Sequence, residues 1–193
     1  MIIAICGAKN SGKDTCADYI TIKYPGAAFR HLKIAGPLKE MCGLLFGWSP
    51  EKMENPLTKE TVDKRWGVSP RTAMQFMGTE MMQYKIQEMI PDVGRTFWIR
   101  TLVNRIQPGE NVVISDMRFQ HEYDGLVAAF GKAAVNVIKI TRPASASAST
   151  SDDDHCSEHE WNDIPHDVMI RNNGSIDDFY KQVDKVVAVA SPS

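Results

Sequence analysis

MIIAICGAKNSGKDTCADYI, residues 1–20, decides how the rest of the chain is read. An apolar, β-favouring run leads into Gly7, and Gly12-Lys13 follow at the GxxxxGK spacing of a loop that cradles phosphate. The two glycines let the backbone curl so that N–H groups point inward at an anion, and the helix that follows adds its positive N-terminal end. Lys13 then reaches the β and γ phosphates. A glycine-rich turn with a surface lysine is the plain alternative, but it leaves the strand, loop and helix coincidence unexplained. Gly7, Asn10, Ser11, Gly12, Lys13, Asp14 and Thr15 therefore form the expected nucleotide-binding set.

Asp14 stands where the motif ordinarily has Ser or Thr. An ionised carboxylate beside a triphosphate is repelled unless a cation lies between them. Mg²⁺ supplies that cation, because it is a hard ion that takes carboxylate oxygen directly or through water. Thr15 keeps a hydroxyl for phosphate. Asp14 also suits the first turn of a helix, where its charge meets the macrodipole, and both roles can hold at once.

Working outward, Met1 to Cys6 reads as a buried strand and Lys13 to Tyr24 as a helix stopped by Pro25-Gly26. Further strands are expected at Ala27 to Leu32, Asn111 to Ser115, Ala134 to Ile140 and Asp167 to Arg171, with a closing amphipathic helix from Ser175 to Val189. This is an α/β class chain with a five-stranded parallel sheet flanked by helices. Nearly eighty residues separate the second and third strands, Lys33 to Glu110, helical in pattern and interrupted at Pro50, Pro56, Pro70 and Pro91. So long a crossover is an inserted helical region. Ala144 to Asp154, ASASASTSDDD, buries nothing and repels itself, so residues 143–166 are expected to form a mobile lid.

The 193 residues suit one domain, 1–193, carrying these two additions. With 22 basic and 24 acidic residues the net charge is −2, which gives no bulk attraction to nucleic acid or to a membrane surface. No apolar run approaches the ~20 residues of a membrane helix. Four scattered cysteines without a CxxC pair, and no leader before the first strand, fit a reducing cytoplasm. His155, Cys156, His159 and His166 lack the second ligand pair that a zinc site needs.

SGKDTCADYI, then IAGPLKE at Ile34 to Glu40, RTAMQFMGTE at Arg71 to Glu80, SDMRFQHEYDG at Ser115 to Gly125, ITRP at Ile140 to Pro143 and NNGSIDDFY at Asn172 to Tyr180 run in one order through the chain. That series resembles the deoxynucleoside monophosphate kinases of tailed phages. Animal phosphomevalonate kinases share the GKDT loop and parts of the later pattern, so the middle and late segments separate the two. The resemblance implies a P-loop nucleoside monophosphate kinase fold with an acceptor-binding insertion and a lid, carrying phosphate from ATP with Mg²⁺ to a deoxynucleoside monophosphate, in the host cytoplasm if phage-encoded. The Ala/Ser and Asp runs of the lid depart from that family.

In that light the arginines acquire roles. Arg71, Gln75, Gly78 and Thr79 fall on one face of an α-helix, expected to line the acceptor pocket, with Met74, Met77, Met81 and Tyr84 as its core face. Gly78 would let a base or sugar approach the backbone. Arg95 is a further candidate phosphate clamp, and Trp98 beside it joins the substrate set, although tryptophan in such a pattern is more often core. By likeness to the family, Arg118 holds the acceptor phosphate and Asp116 approaches Mg²⁺ through water; Glu122, at the start of the next helix, is placed to orient Arg118. Arg142 precedes the lid and can meet the transferring phosphate. Asn173, Gly174 and Ser175 occupy the turn that lies beside adenine in related kinases, and Ser175 also reads as an ordinary helix cap. Two other readings stay open here: another small-molecule kinase acting on phosphomevalonate or dephospho-coenzyme A, and a nucleotide-dependent interaction module or NTPase. Base choice, sugar selectivity and oligomeric state are open as well, a homodimer being a common outcome.

Overall fold

A computed structural model describes residues 1–143 and 160–190. The expected lid falls largely outside the described residues, as do His155, Cys156 and His159. The chain divides into two compact units, one made of residues 1–33 and 103–193, the other of residues 34–102.

The first unit is built on strands β1 (Ile2–Gly7), β2 (Arg30–Leu32), β3 (Val112–Met117), β4 (Val135–Thr141) and β5 (Val168–Arg171), all parallel and ordered β2-β3-β1-β4-β5. Helices α1 (Lys13–Lys23), α7 (Gln120–Phe130) and α8 (Ile176–Ala190) belong to the same unit. Every residue of β1 is buried, which is why the strand reads as a continuous apolar run rather than an alternating one. Ile3, Ile5, Ile20, Val113, Ile138, Ile140, Phe179 and Val183 form the core around it. Each such side chain removed from water contributes about 1.5–3 kcal/mol.

The strand order fixes where a ligand can go. The chain leaving β1 crosses to β2 beyond β3, whereas the chain leaving β3 crosses to β4 on the other side of β1. Crossovers that diverge from two adjacent strands open a crevice at their carboxyl ends. β1 ends there in Gly7 and β3 in Ser115, Asp116 and Met117. β3 is also irregular at this end: Ala4 pairs with Ile114 but Cys6 pairs with Met117, so one extra residue is accommodated around Ser115 and Asp116. Such a bulge re-aims side chains, here at the edge of the crevice.

The second unit contains α2 (Gly36–Phe46), α3 (Pro50–Glu54), α4 (Pro56–Glu60), α5 (Pro70–Gln75) and most of α6 (Phe97–Val103). Pro50, Pro56 and Pro70 do more than interrupt a helical pattern. Each sits just inside a new helix, after Ser49, Asn55 and Ser69, whose side chains accept from the N–H of Lys52, Leu57 and Thr72. Asp63 knots the unit together, its Oδ2 accepting from Trp48 Nε1 at 2.8 Å and Lys52 Nζ at 2.6 Å and its Oδ1 from the Arg65 N–H at 2.9 Å. Cys42, Trp48, Met53 and Ala73 form its small core, with Leu38, Met74 and Met77 against them.

The expected α-helix through Arg71 to Tyr84 is α only as far as Gln75. Phe76–Tyr84 is wound as a π-helix, whose wider turn breaks the 3.6-residue stripe on which the face assignment rested. Met74 and Met77 keep the predicted core role, but Met81 and Tyr84 are exposed. Among the described residues, no helix is long and apolar enough to cross a membrane.

Candidate functional site

In the first unit the phosphate-loop residues are built in two halves. Gly7 is both the last residue of β1, paired with Ile140, and the first of the loop. A Cβ on Gly7 would lie 2.2 Å from the Ile140 carbonyl oxygen, and its φ of 145° is one that side chains disfavour. Gly12 caps α1 with φ 107°, and a Cβ there would meet Asn172 Nδ2 at 2.7 Å. Asn172 in turn donates from Nδ2 to the Ser11 carbonyl at 2.8 Å, so the turn after β5 braces the loop from behind.

Lys13 folds back over this loop, its Nζ donating to the carbonyls of Gly7 at 2.9 Å and Ala8 at 2.6 Å. Ser11 is 1% exposed and its Oγ has no hydrogen-bond partner among the described residues. A buried hydroxyl without a partner is costly unless something polar fills the concavity. That orphan, the side-chain-free glycines and the ammonium together fit an anionic group such as a polyphosphate.

Asp14 lies in the first turn of α1, its side chain 63% exposed. Ser115 Oγ donates to Asp14 Oδ1 at 2.7 Å, and Lys33 Nζ lies 3.1 Å from the same oxygen. Burial works against ionisation, but the hydrogen bonds from Ser115 and Lys33 and the charges of Lys33 and His31 outweigh it, holding the carboxyl below its ordinary range. A carboxylate kept ionised and open to solvent suits a hard divalent cation. Among the described residues, no group of three or more His, Cys, Asp or Glu side chains converges as a closed metal cage, so a cation here would complete its shell with phosphate oxygen and water.

Asp116 and Arg118 follow at the carboxyl end of β3, both half-buried. Glu122 meets this segment through the backbone: its Oε2 accepts from the N–H of Arg118 at 2.7 Å and of Phe119 at 3.0 Å. Burial pushes Glu122 up to about 8, and the charge of Asp116 adds to the shift, against the pull of those two donors. Arg142 is exposed just after β4, with Nη1 3.5 Å from the Asn10 carbonyl, which brings it beside the loop. Thr15 is exposed on α1, and Asn173 and Gly174 are exposed in the turn before α8. Ser175 caps α8, accepting from Asp178 N–H at 3.1 Å and donating to Asp178 Oδ2 at 2.7 Å, which commits its hydroxyl to the helix.

In the second unit, Arg71 is half-buried with Nη1 3.1 Å from Glu60 Oε1, Gln75 and Arg95 are exposed, and Thr79 is half-buried. Two expectations are corrected. Gly78 is buried, not open to a sugar or base: a Cβ there would lie 2.8 Å from Leu38 Cδ2. Trp98 is 9% exposed and donates from Nε1 to the Gly78 carbonyl at 2.9 Å, so it packs the unit instead of facing substrate. A separate open groove of about 400 Å³ lies along the π-helix and the turn after it, lined by Phe76, Glu80, Met81, Tyr84, Lys85 and Glu88. It includes none of the expected acceptor residues.

A family model for deoxynucleotide monophosphate kinase matches residues 51–183 of this chain. The chain belongs to that family. A full-length relative of Acanthamoeba polyphaga mimivirus, named "Putative deoxynucleotide monophosphate kinase", is 35% identical over 201 residues, covering 99% of this chain and 98% of its own. That alignment takes in the phosphate loop, which lies ahead of the family-model match. Among solved structures, a gluconokinase from Sinorhizobium meliloti 1021 aligns at TM-score 0.48 and 12% identity, covering 97% of this chain and 92% of that one. A dephospho-CoA kinase from Campylobacter jejuni aligns at 0.48 and 14%, covering 97% and 95%.

Four residues of this kinase that sequence reading passed over stand around the loop: His31, Lys33, Ser115 and Asn172. His31 Nε2 lies 2.7 Å from Ser115 Oγ and its Nδ1 lies 3.1 Å from Asp18 Oδ1. The available signal was positional. His31 lies next to the end of the second predicted strand and Lys33 directly follows it, Ser115 ends the third and Asn172 follows the fifth, all at the edge where parallel sheets gather their ligands.

Proposed function

We propose that the protein transfers the γ-phosphoryl group of ATP to a deoxynucleoside 5′-monophosphate, yielding ADP and the deoxynucleoside diphosphate. An acceptor phosphate oxygen attacks the γ-phosphorus as the bond to the β,γ-bridging oxygen breaks. No strong base is needed, since the second ionisation of a phosphate monoester lies near a pKa of about 6. Positioning and charge neutralisation carry the catalysis.

The observation that carries this reading is the loop from Gly7 to Thr15, with its orphaned Ser11 hydroxyl and its Lys13 ammonium at the mouth of the sheet crevice. Lys13 would exchange the Gly7 and Ala8 carbonyls for β and γ phosphate oxygens. Mg²⁺, when bound, neutralises charge on those phosphates. Asp14 would hold it, with Asp116 reaching it through water. Arg118 and Arg142 would steady the acceptor phosphate and the charge that develops on the transferred group, while Arg71, Gln75, Thr79 and Arg95 of the second unit would bind the acceptor nucleotide.

The deciding experiment is a coupled assay of ADP formation across the four natural deoxynucleoside monophosphates. Acceptor-dependent ADP release with at least one of them is the expected result. Turnover with none, or ATP hydrolysis indifferent to every acceptor, would sink the proposal.

A further inference from the structure

Asp14 is loaded from one side. Ser115 and Lys33 both make their closest approach to Oδ1, which leaves Oδ2 as the oxygen the carboxylate can present elsewhere. Ser115 has one hydroxyl proton, and Asp14 as an ionised carboxylate only accepts. With that proton directed at Asp14, Ser115 Oγ can meet His31 Nε2, 2.7 Å away, only as an acceptor, so the imidazole donates there. The other ring nitrogen faces Asp18 Oδ1 at 3.1 Å, one turn along α1 from Asp14. A hydrogen-bond chain therefore runs from His31 on β2 through Ser115 on β3 to Asp14 on α1.

The bulge near the end of β3 belongs to this arrangement. It falls at Ser115 and Asp116, and Ser115 is 1% exposed, so its hydroxyl is held among protein groups rather than water. His31 is likewise mostly covered, its side chain 20% exposed. Neither residue lies in the phosphate loop, and of the two it is Ser115 that touches Asp14, beside Lys33 on the same oxygen.

We propose that His31 is a positioning residue of the divalent-cation site: through Ser115 it fixes the Asp14 carboxylate by Oδ1, so that Oδ2 is offered in one orientation to a Mg²⁺–nucleotide. The inference rests on the reading of Asp14 as the cation contact given above. Partners behind a metal-ligating carboxylate orient it and sharpen its affinity, and their loss typically costs about 10–100-fold.

The test uses Mn²⁺ as a spectroscopic substitute for Mg²⁺, its binding to the protein–ATP complex read by electron paramagnetic resonance of the unbound ion. ATP affinity without metal is measured by calorimetry. His31→Leu keeps bulk but removes the donor, His31→Gln keeps an amide N–H, and Ser115→Ala removes the bridge. His31→Leu should weaken Mn²⁺ about tenfold while metal-free ATP affinity stays within about twofold, and His31→Gln should recover most of the loss. Ser115→Ala should reproduce His31→Leu, and it carries the test if His31→Leu does not fold. Unchanged Mn²⁺ affinity in His31→Leu and Ser115→Ala overturns the inference, and so does an equal loss of metal-free ATP affinity, which marks a purely structural tie. A wild-type protein that phosphorylates deoxynucleotides while these variants bind Mn²⁺ normally overturns this inference alone. A wild-type protein that binds no ATP overturns the kinase-site reading and this inference with it.

Discussion

Gly7 has no room for a side chain, because the Ile140 carbonyl is backbone and cannot swing away. Gly7→Ala is therefore expected to break the junction of strand and loop, lowering stability by about 2 kcal/mol or more and abolishing nucleotide binding; thermal unfolding and ATP calorimetry check both. Lys13→Met makes the opposite case. Its ammonium bonds carbonyls at a loop rim and supports no core, so the variant should fold normally yet lose transfer by a factor on the order of 10²–10³, as a coupled assay would read. Asp14→Ser separates the two roles of that residue. A shifted magnesium titration at fixed ATP indicates a cation contact; an unshifted one leaves only the first-turn charge of α1.

Between strand and helix, Glu122 sets the start of α7 by accepting two backbone N–H groups. Its carboxyl is pushed up to about 8 by burial, well above its ordinary value of about 4.3. The unfolded chain therefore ionises first as pH rises, and stability present below that ordinary value is lost progressively up to about 8. The slope can reach about 1.4 kcal/mol per pH unit. Urea unfolding from pH 5 to 8.5 should show this decline in the wild type and a flatter profile in Glu122→Gln. The elements themselves were largely legible in sequence. Buried parallel strands advertise themselves as apolar runs, and β1, β3 and β4 lie within two residues of their expected ends. The π-helix was not legible, because winding one more residue into a turn leaves no mark in composition. It moved Met81 and Tyr84 to the surface and closed Gly78 against Leu38. His31 and Ser115 were hidden for another reason: their meeting depends on β2 lying beside β3 and on one extra residue in β3, and neither fact is local in sequence.

At the scale of the whole chain, each unit buries one carboxyl among the described residues, Glu122 in the first and Asp63 in the second, and the two are shifted in opposite directions. Where Glu122 of the first unit is raised, Asp63 of the second is held far below the usual carboxylate range by hydrogen bonds from Arg65 and Lys52. Its contribution is fully present above the ordinary carboxylate pKa and is lost progressively as pH falls below it. Asp63→Asn is accordingly expected to weaken residues 34–102 at neutral pH, seen as faster amide exchange there, with protection of the first unit's β1 retained. The phosphate motif, the five parallel strands, the insertion after the second strand and the family were all within reach of sequence reading; the strand order and the unit boundary at residue 102 required coordinates.

The Lys13 ammonium, resting on the carbonyls of Gly7 and Ala8, bears on how the enzyme waits between turnovers. A tethered cation already satisfies these carbonyls, so under the proposed function nucleotide arrival would be a partner exchange at a standing scaffold, and product departure would have a ready successor for the bonds it gives up.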